Sequence, residues 1–432
     1  MLRVLLVIAL LVSSYLATGQ ARSQVDELNR QALRQMRKAP DSCRTILSKS
    51  IKIAESEGYF KGLGNAFNIR ARLSELEGDD LAAFETYQKA LTFYAQTDSV
   101  VSNNQAIVLR NMAAIFLDKY QYEEAVKYYD SAEYFLRQYM VAQPDRAEKT
   151  NKLKSLNDII YFKAIAQKYT GRLSDANITL NQLWNQGIDE RKNVNYARTL
   201  NQLGLVNIDL QNYHEARYYF RQMMELEKVS DLYIARAHHN IGMAWLAEGK
   251  YKKAQGCFEK SLEVKQSFKS SELKQKLLFH SYLELGESFF RQENFIEAIE
   301  QWEKALSFDV DISEDPEYYV VHNWLQQSYM LFDLTKANVH GEKFKSYSKA
   351  FHKSKLTLAE QLESQVFTLS LAENKLKETH GQESAAQQTQ FKVILVVVAI
   401  AALLLFLAWL LRRKIRHHRY YRQMHSLATN KS

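Results

Sequence analysis

Between residues 64 and 310, small and apolar residues recur in a pattern that predicts pairs of helices. In the clearest copy, Gly242 is followed 12 residues later by Ala254, 16 residues later by Phe258 and 19 residues later by Ser261. Residues three or four apart share one side of a helix, so the last three positions predict one buried helix face. Copies of the pattern start at six small residues: Ala71, Ala113, Ala164, Gly204, Gly242 and Gly286. We therefore expect six helix pairs.

The spacing also predicts how the two helices of a pair meet. A small residue at the start of the pattern lets the second helix approach closely, and the alanine 12 residues later lies at the same crossing. Turns are expected seven residues after the start, where Gly78, Gly171 and Gly249 occur, while the sequences QNY and ENF replace the glycine in two pairs. Because one pair cannot bury both of its faces, neighbouring pairs must stack. The predicted fold class is all-α.

This pattern resembles the tetratricopeptide repeat (TPR), and the resemblance implies a helix-turn-helix solenoid over residues 64–310. Degenerate helical caps are expected at residues 20–63 and 311–343. The starts of successive copies lie 42, 51, 40, 38 and 44 residues apart, whereas the family's repeat has about 34 residues. The second helices or the links between repeats must therefore be longer, and the segment around Pro144 is the expected insertion.

The resemblance also implies where a partner would bind, because TPR arrays bind peptides or protein surfaces in a concave groove lined by their first helices. Carried over by repeat position, the expected groove residues are Arg110, Asn111, Arg198, Asn201, Arg236, His239, Asn240, His280 and Glu287. The set is polar and mildly basic, which favours an acidic or carboxyl-ended peptide. A solvated helix face explains the same composition, and the sequence leaves both interpretations open.

Both ends of the chain have the pattern of membrane-targeting segments. Residues 1–19 combine a basic start, an apolar run and small residues, as in a secretory signal peptide, with an uncleaved anchor as the alternative. Residues 391–411 predict a transmembrane helix, since the 19 residues of 393–411 are uncharged and would span about 28 Å. The tail, residues 412–432, is basic through Arg412, Arg413, Lys414, Arg416, Arg419 and Arg422.

The positive-inside rule places this basic tail in the cytoplasm and the repeats on the other side of the membrane. The chain is therefore predicted to cross a membrane once. The order of its segments resembles that of bacterial envelope sensors, and this resemblance implies the bacterial inner membrane with a periplasmic TPR region. The tail is expected to contact the anionic head groups of the lipid bilayer, and a cytoplasmic signalling partner is the second contact that we consider.

The net charge of +8 comes from the ends of the chain. Residues 1–19 and 412–432 hold eight of the 57 Lys and Arg residues and no acid, which leaves 49 basic against 49 acidic residues between them. A formally neutral middle region gives no electrostatic attraction to a phosphate backbone. We therefore do not expect the repeats to bind nucleic acid.

Residues 344–390 lack the repeat pattern and predict a juxtamembrane helix and linker. Leu362, Leu369 and Leu376 are spaced by seven residues, as in a short coiled-coil stripe, although Gln365 interrupts the stripe. The pattern predicts either a homodimer through this juxtamembrane helix or the packing of the helix on the last repeat.

No catalytic, cofactor-binding or metal-binding motif occurs in the sequence. The motifs GxSxG, GxxxxGK[ST] and HExxH are missing, as is a glycine-rich dinucleotide loop. His238 and His239 are adjacent, so on a helix they point to different sides and are a poor metal pair. We predict a protein that is not an enzyme and has neither a cofactor nor a metal.

The overall plan resembles bacterial envelope sensors, in which a periplasmic TPR region and one membrane span precede a cytoplasmic histidine kinase or transcription regulator. Here the tail has 21 residues, too few for a hydrophobic core. The resemblance implies a receptor-like component of signal transduction that binds a protein or peptide outside and passes the signal through its span or tail. A structural adaptor that tethers an envelope assembly is the alternative.

Overall fold

The computed structural model describes the chain as a series of α-helices. The described residues are 2–97, 103–142, 146–186, 195–227, 229–269, 271–308, 317–350 and 352–353. Within these ranges every regular element is a helix. All of them belong to the first of two compact units, Met1–Val366; the second unit, Phe367–Ser432, lies outside the described residues. The predicted transmembrane helix, the basic tail and nearly all of the predicted juxtamembrane segment therefore fall outside the description too.

The helices follow one another as antiparallel pairs joined by tight turns. The pairs are α1 (Leu2–Gln35) with α2 (Pro40–Ser56), α3 (Phe60–Leu76) with α4 (Asp80–Ala95), α5 (Asn103–Asp118) with α6 (Tyr122–Ala142), α7 (Arg146–Tyr169) with α8 (Leu173–Gln186), α9 (Asn195–Asp209) with α10 (Tyr213–Met224), α11 (Asp231–Ala247) with α12 (Tyr251–Gln266), α13 (Glu272–Phe290) with α14 (Phe295–Ala305), and α15 (Glu317–Tyr329) with α16 (334–350). Each pair packs on the next, which gives a TPR-like solenoid.

The six predicted helix pairs are confirmed, and a close contact inside each glycine-bearing pair explains the pattern. A Cβ atom added to Gly204 would lie 2.3 Å from the ring of Phe220, the residue 16 positions later. A Cβ atom added to Gly286 would lie 2.3 Å from the ring of Trp302, again 16 positions later. Both rings are completely buried. The ring occupies the space that a side chain at the start of the pattern would need, so a glycine is required there.

The turns inside the pairs are also found at the predicted positions. Gly78, Gly171 and Gly249 have φ angles of +80°, +79° and +76°. Where glycine is replaced, Gln211 and Glu293 adopt the same left-handed conformation, with φ of +62° and +64°. This conformation ends the first helix and lets the backbone N–H groups that follow return to the helix's last carbonyl groups.

The long spacing between the second and third copies of the pattern is explained by long helices. The second helix α6 has 21 residues and the following first helix α7 has 24 residues. The sequence predicted an insertion around Pro144, and residues 143–145 lie outside the described residues. The extra length on either side of them is helical, because the flanking segments contain neither glycine nor proline.

The two flanking regions, predicted as degenerate caps, also contain helix pairs. At the amino-terminal side, Ser50 Oγ donates to Asn29 Oδ1 at 2.8 Å, and Asn29 Nδ2 donates to the carbonyl oxygen of Gly62 on α3 at 3.0 Å. At the other side, Val321 and Leu325 of α15 are fully buried in a cluster with Trp302. Helix α16 continues past residue 343, the predicted end of the cap, because no helix-breaking residue occurs there.

The predicted membrane segments remain predictions. Residues 2–19 of the predicted signal peptide form the first part of α1, for which only the backbone of residues 2–18 is described. Among the residues whose side chains the structure describes, no helix has the length and apolar character needed to cross a membrane. The predicted span at 391–411 lies outside these residues.

The contact between Gly204 and Phe220 predicts that Gly204→Ala destabilises the protein. Alanine has the higher helix propensity, but its Cβ would overlap a buried ring, and such overpacking typically costs about 1–3 kcal/mol. Urea unfolding followed by circular dichroism measures the change in the free energy of unfolding.

Gly256→Ala is the matched control for this substitution. Gly256 lies inside α12, and a Cβ atom added there meets no heavy atom within 4 Å. Only the higher helix propensity of alanine should then matter, and the free energy of unfolding of the control should rise by about 0.5–1 kcal/mol. If both substitutions stabilised the protein equally, the close contact would not explain the glycine at position 204.

Candidate functional site

The nine predicted groove residues all lie on first helices, in four of the helix pairs. We call them the first-helix face: Arg110 and Asn111 on α5, Arg198 and Asn201 on α9, Arg236, His239 and Asn240 on α11, and His280 and Glu287 on α13. Their contacts show which of them hold neighbouring helices together and which do not.

The three asparagines belong to the first group. Asn240 Nδ2 donates to Asn201 Oδ1 at 2.8 Å and thereby links α11 to α9. Asn111 is buried, and its Nδ2 donates to the hydroxyl of Tyr87 on α4 at 3.1 Å. Buried amides that lose such partners carry a desolvation cost. The asparagines therefore fix how successive pairs stack.

Two of the arginines are engaged as well. The guanidinium of Arg198 forms an ion pair with Asp158 on the preceding first helix, and its Cζ lies 4.4 Å from the centroid of the Tyr161 ring. Arg110 Nη2 donates to Asn111 Oδ1 at 2.9 Å. Because its charge is balanced by Asp158, Arg198 is a weak anchor for an acidic partner.

A cluster of basic groups lies between α11, α12 and α13. We call it the basic cluster: Arg236, His239, Lys265 and His280. Lys265 is only 2% exposed, and its Nζ donates to Ser281 Oγ at 2.6 Å. The pKa of Lys265 is lowered to about 8; burial is the main cause, Glu284 acts in the opposite direction, and Arg236 acts in the same direction as burial. The cluster therefore holds a buried ammonium and a guanidinium together, and Glu284 is the acid that acts on the ammonium.

His239 does not supply the positive charge that the sequence suggested. Its Nδ1 is buried and has no hydrogen-bond partner, and its ring lies 5.6 Å from the Phe258 ring. Its pKa is lowered to about 3, mainly by burial, with Lys265 and His280 acting in the same direction. The imidazole is therefore neutral at physiological pH and acts as part of the packing between α11 and α12.

The remaining predicted residues, Glu287 and His280, both lie half-buried on α13. Glu287 accepts a hydrogen bond from Arg291 Nη2, one turn further along the helix, at 2.9 Å. An ion pair one turn apart on a helix surface contributes little to stability. The structure therefore joins His280 to the basic cluster and leaves Glu287 in a local ion pair.

Lys265 is the residue that the sequence analysis missed. It is on a second helix, and the expected groove was confined to first helices. Its burial could have been found, because Lys265 follows the buried Ser261 by four residues and Phe258 by seven. Helical periodicity therefore places it on the buried face of α12.

No metal site was predicted, and across the described ranges no three His, Cys, Asp or Glu side chains gather in an arrangement that could hold a metal ion. Cys43 and Cys257 are free thiols. Burial raises the pKa of both thiols and outweighs the nearby basic groups, so the reactive thiolate form is disfavoured.

Comparison with known proteins supports the repeat assignment. Residues 195–267, which contain α9 to α12, match the family described as Tetratricopeptide repeat. These helices include the residues of the basic cluster except His280. TPR proteins generally mediate contacts between proteins. No curated protein matches the chain.

Solved structures similar to this chain are TPR proteins of low sequence identity. A tetratricopeptide repeat protein from Parabacteroides merdae is 15% identical, with 67% of this chain and 97% of that chain covered and a TM-score of 0.47. The C-terminal part of a TPR repeat-containing protein from Cytophaga hutchinsonii is 13% identical, with 68% and 98% covered and a TM-score of 0.44.

The buried Lys265 predicts a pH-dependent effect of Lys265→Met. Because the pKa of Lys265 is lower in the folded chain than in the unfolded chain, the folded protein with Lys265 gains stability as pH rises through about 8. Methionine cannot titrate. The stability of Lys265→Met relative to the native protein should therefore fall by about 2 kcal/mol between pH 7 and pH 9.5.

Urea unfolding at the two pH values measures this difference, and groups common to both proteins cancel in it. Lys260→Met is the control, because Lys260 lies on the same helix and is exposed. A constant difference for Lys265→Met would mean that Lys265 is charged and hydrated in the folded protein.

Proposed function

We propose that this protein is not an enzyme and binds an acidic segment of a protein partner at the basic cluster of its first-helix face. The match of residues 195–267 to the TPR family supports a role in protein binding. The observation that carries the acidic chemistry is the charge balance: Arg236 and Lys265 lie together, and Glu284 is the acid that acts on Lys265.

Arg236 is the residue best placed to contact the partner. It is half-buried on α11, its Cζ lies 5.8 Å from the Tyr233 ring, and it forms no ion pair with a described carboxylate. A carboxylate from a partner would complete the charge balance and accept two parallel hydrogen bonds from the guanidinium. Arg198, by contrast, already has Asp158.

We further propose that the protein is held in the bacterial inner membrane with its repeats in the periplasm. This proposal rests on the apolar segments at residues 1–19 and 391–411 and on the basic tail at 412–432. The resemblance to envelope sensors favours a receptor-like component that signals through a cytoplasmic partner. A scaffold for an envelope assembly is the outcome to be distinguished from it.

Peptide binding tests the proposed partner chemistry. Purified full-length protein should bind a fluorescent oligo-glutamate peptide more tightly than an oligo-lysine peptide, and added salt should weaken the binding. Arg236→Ala should raise the Kd at least about tenfold, because a charged hydrogen bond of about 1.5–3 kcal/mol is lost.

Arg221→Ala is the control, because Arg221 is exposed on the second helix α10 and its loss should leave the Kd unchanged. Equal weakening by the two substitutions would indicate attraction to the overall charge rather than a site. Equal Kd values for the oligo-glutamate and oligo-lysine peptides would contradict the proposed acidic partner. That result would not contradict protein binding in general.

Carbonate extraction of membranes tests the proposed anchor. The full-length protein, expressed in a bacterial host, should stay in the membrane pellet at high pH, and deletion of residues 391–432 should release it. Release of the full-length protein by carbonate would contradict the proposed anchor.

Crosslinking in cells distinguishes the two proposed roles. Capture of a kinase or regulator through residues 415–432 supports signalling. Capture of periplasmic proteins alone, unchanged after deletion of residues 415–432, supports the scaffold.

A further inference from the structure

A histidine pair joins the last two described helices. Nδ1 of His322 on α15 lies 2.8 Å from Nδ1 of His340 on α16. His322 is 1% exposed, and His340 is half-buried. This distance is a hydrogen bond, so one of the two nitrogens carries a proton and the other is bare.

The surroundings indicate which nitrogen carries the proton. Nε2 of His322 is buried and has no hydrogen-bond partner. A proton on that atom would be a buried N–H group with no acceptor, which is costly. We therefore assign the proton to Nδ1 of His322, which donates to the bare Nδ1 of His340. The proton of His340 is then on Nε2.

A further proton cannot be added to the pair without losing a favourable interaction. If His340 gains a proton on Nδ1, two N–H groups face each other at 2.8 Å. If His322 gains a proton on Nε2, that N–H group is buried without an acceptor. Both arrangements are unfavourable in a buried site. The contact between α15 and α16 therefore requires both rings to be neutral.

Charged groups around the pair lower the pKa of the histidines, with one exception. Lys343 of α16 lowers the pKa of both histidines, and Lys336 of α16 lowers that of His340. Glu303 of α14 acts in the opposite direction on His340. The Glu303 carboxylate is itself engaged, because it accepts a hydrogen bond from the hydroxyl of Tyr329.

Aromatic rings enclose the remaining sides of the pair. The Tyr347 ring stacks on His322 with centroids 5.5 Å apart, the Tyr318 ring meets His322 edge-on at 5.5 Å, and the Tyr329 ring stacks on His340 at 5.6 Å. These ring contacts contribute to the burial of His322, which is 1% exposed. Burial is accordingly the main cause of the low pKa of His322, which is about 4.

We propose that the His322–His340 pair is an acid-sensitive clasp that holds α16 on α15 at neutral pH and releases it as the surroundings become acidic. A histidine in an open segment gains a proton near pH 6.5, whereas the clasped histidines resist it. The clasp therefore contributes fully above about pH 6.5, and its contribution is lost as pH falls from there toward 4. Helix α16 is the last helix of the described array, so acid would loosen that end of the solenoid.

Hydrogen exchange of the full-length protein, followed by mass spectrometry, tests the clasp. Between pH 7.5 and pH 5.0 the protection factors of peptides from α16, corrected for the intrinsic exchange rate, should fall roughly 30-fold for one proton taken up on opening. Peptides from α7 and α8, which contain no histidine and lie far along the chain from the clasp, should change much less.

The double variant His322→Asn/His340→Asn separates titration from packing. An asparagine amide places a donor or an acceptor where the histidine Nδ1 stands, so the hydrogen bond can form, but neither residue titrates. Protection of α16 should then stay level between the two pH values. His214→Asn, at an exposed histidine on α10, should behave as the native protein does.

Three outcomes would overturn the clasp: level protection in the native protein, an equal fall in the double variant, or a pKa of both histidines at or above 6.5. The last is measured by NMR titration of the histidine ring protons in the native protein, assigned with single variants. This measurement keeps the proposal testable if the double variant does not fold, and it does not depend on peptide binding.

Discussion

The packing of an aromatic ring onto a small residue of the preceding helix is the contact on which this solenoid depends. Phe220 lies on Gly204, Phe258 on Gly242 and Trp302 on Gly286, and all three rings are almost completely buried. Burying such a ring contributes about 1.5–3 kcal/mol, and it can be buried here only because the facing residue has no side chain. Since each pair contacts its neighbours alone, the stability of the array is close to a sum of such local terms.

Because the pairs pack tightly, most polar residues of the first-helix face have partners within the protein. One region of the face differs from the rest. Asn201 and Asn240 bond to each other, and Arg198 is neutralised by Asp158. The region around Arg236 and Lys265 differs, because two cations lie together there and Glu284 is the one acid that acts on Lys265. This is the region that we propose as the contact for an acidic partner.

Much of the fold could be predicted from the sequence because it follows from local spacing. A small residue, an alanine and an aromatic residue at fixed separations define each pair, and the left-handed turn residues follow seven positions after the start. Even Gln211 and Glu293, which lack the backbone freedom of glycine, adopt the left-handed turn conformation. Local periodicity also predicts that Lys265 is buried, because it lies on the same face of α12 as Phe258 and Ser261.

The remainder depends on contacts between helices that spacing does not define. His322 and His340 are 18 residues apart, and their hydrogen bond is set by how α15 crosses α16. The pairing of Arg198 with Asp158, 40 residues earlier, likewise depends on how two repeats stack. The identity of a partner depends on a second molecule, and the membrane anchor remains a prediction from the segments at the two ends.

A double-mutant cycle between Gly204→Ala and Phe220→Leu tests the central contact most directly. If the ring excludes a Cβ at position 204, the smaller leucine makes room for it, and the double variant should be more stable than the sum of the two single effects by at least about 1 kcal/mol. Urea unfolding of the four proteins gives this coupling energy. Additive effects, within about 0.5 kcal/mol, would contradict the claim that the ring and the glycine determine each other.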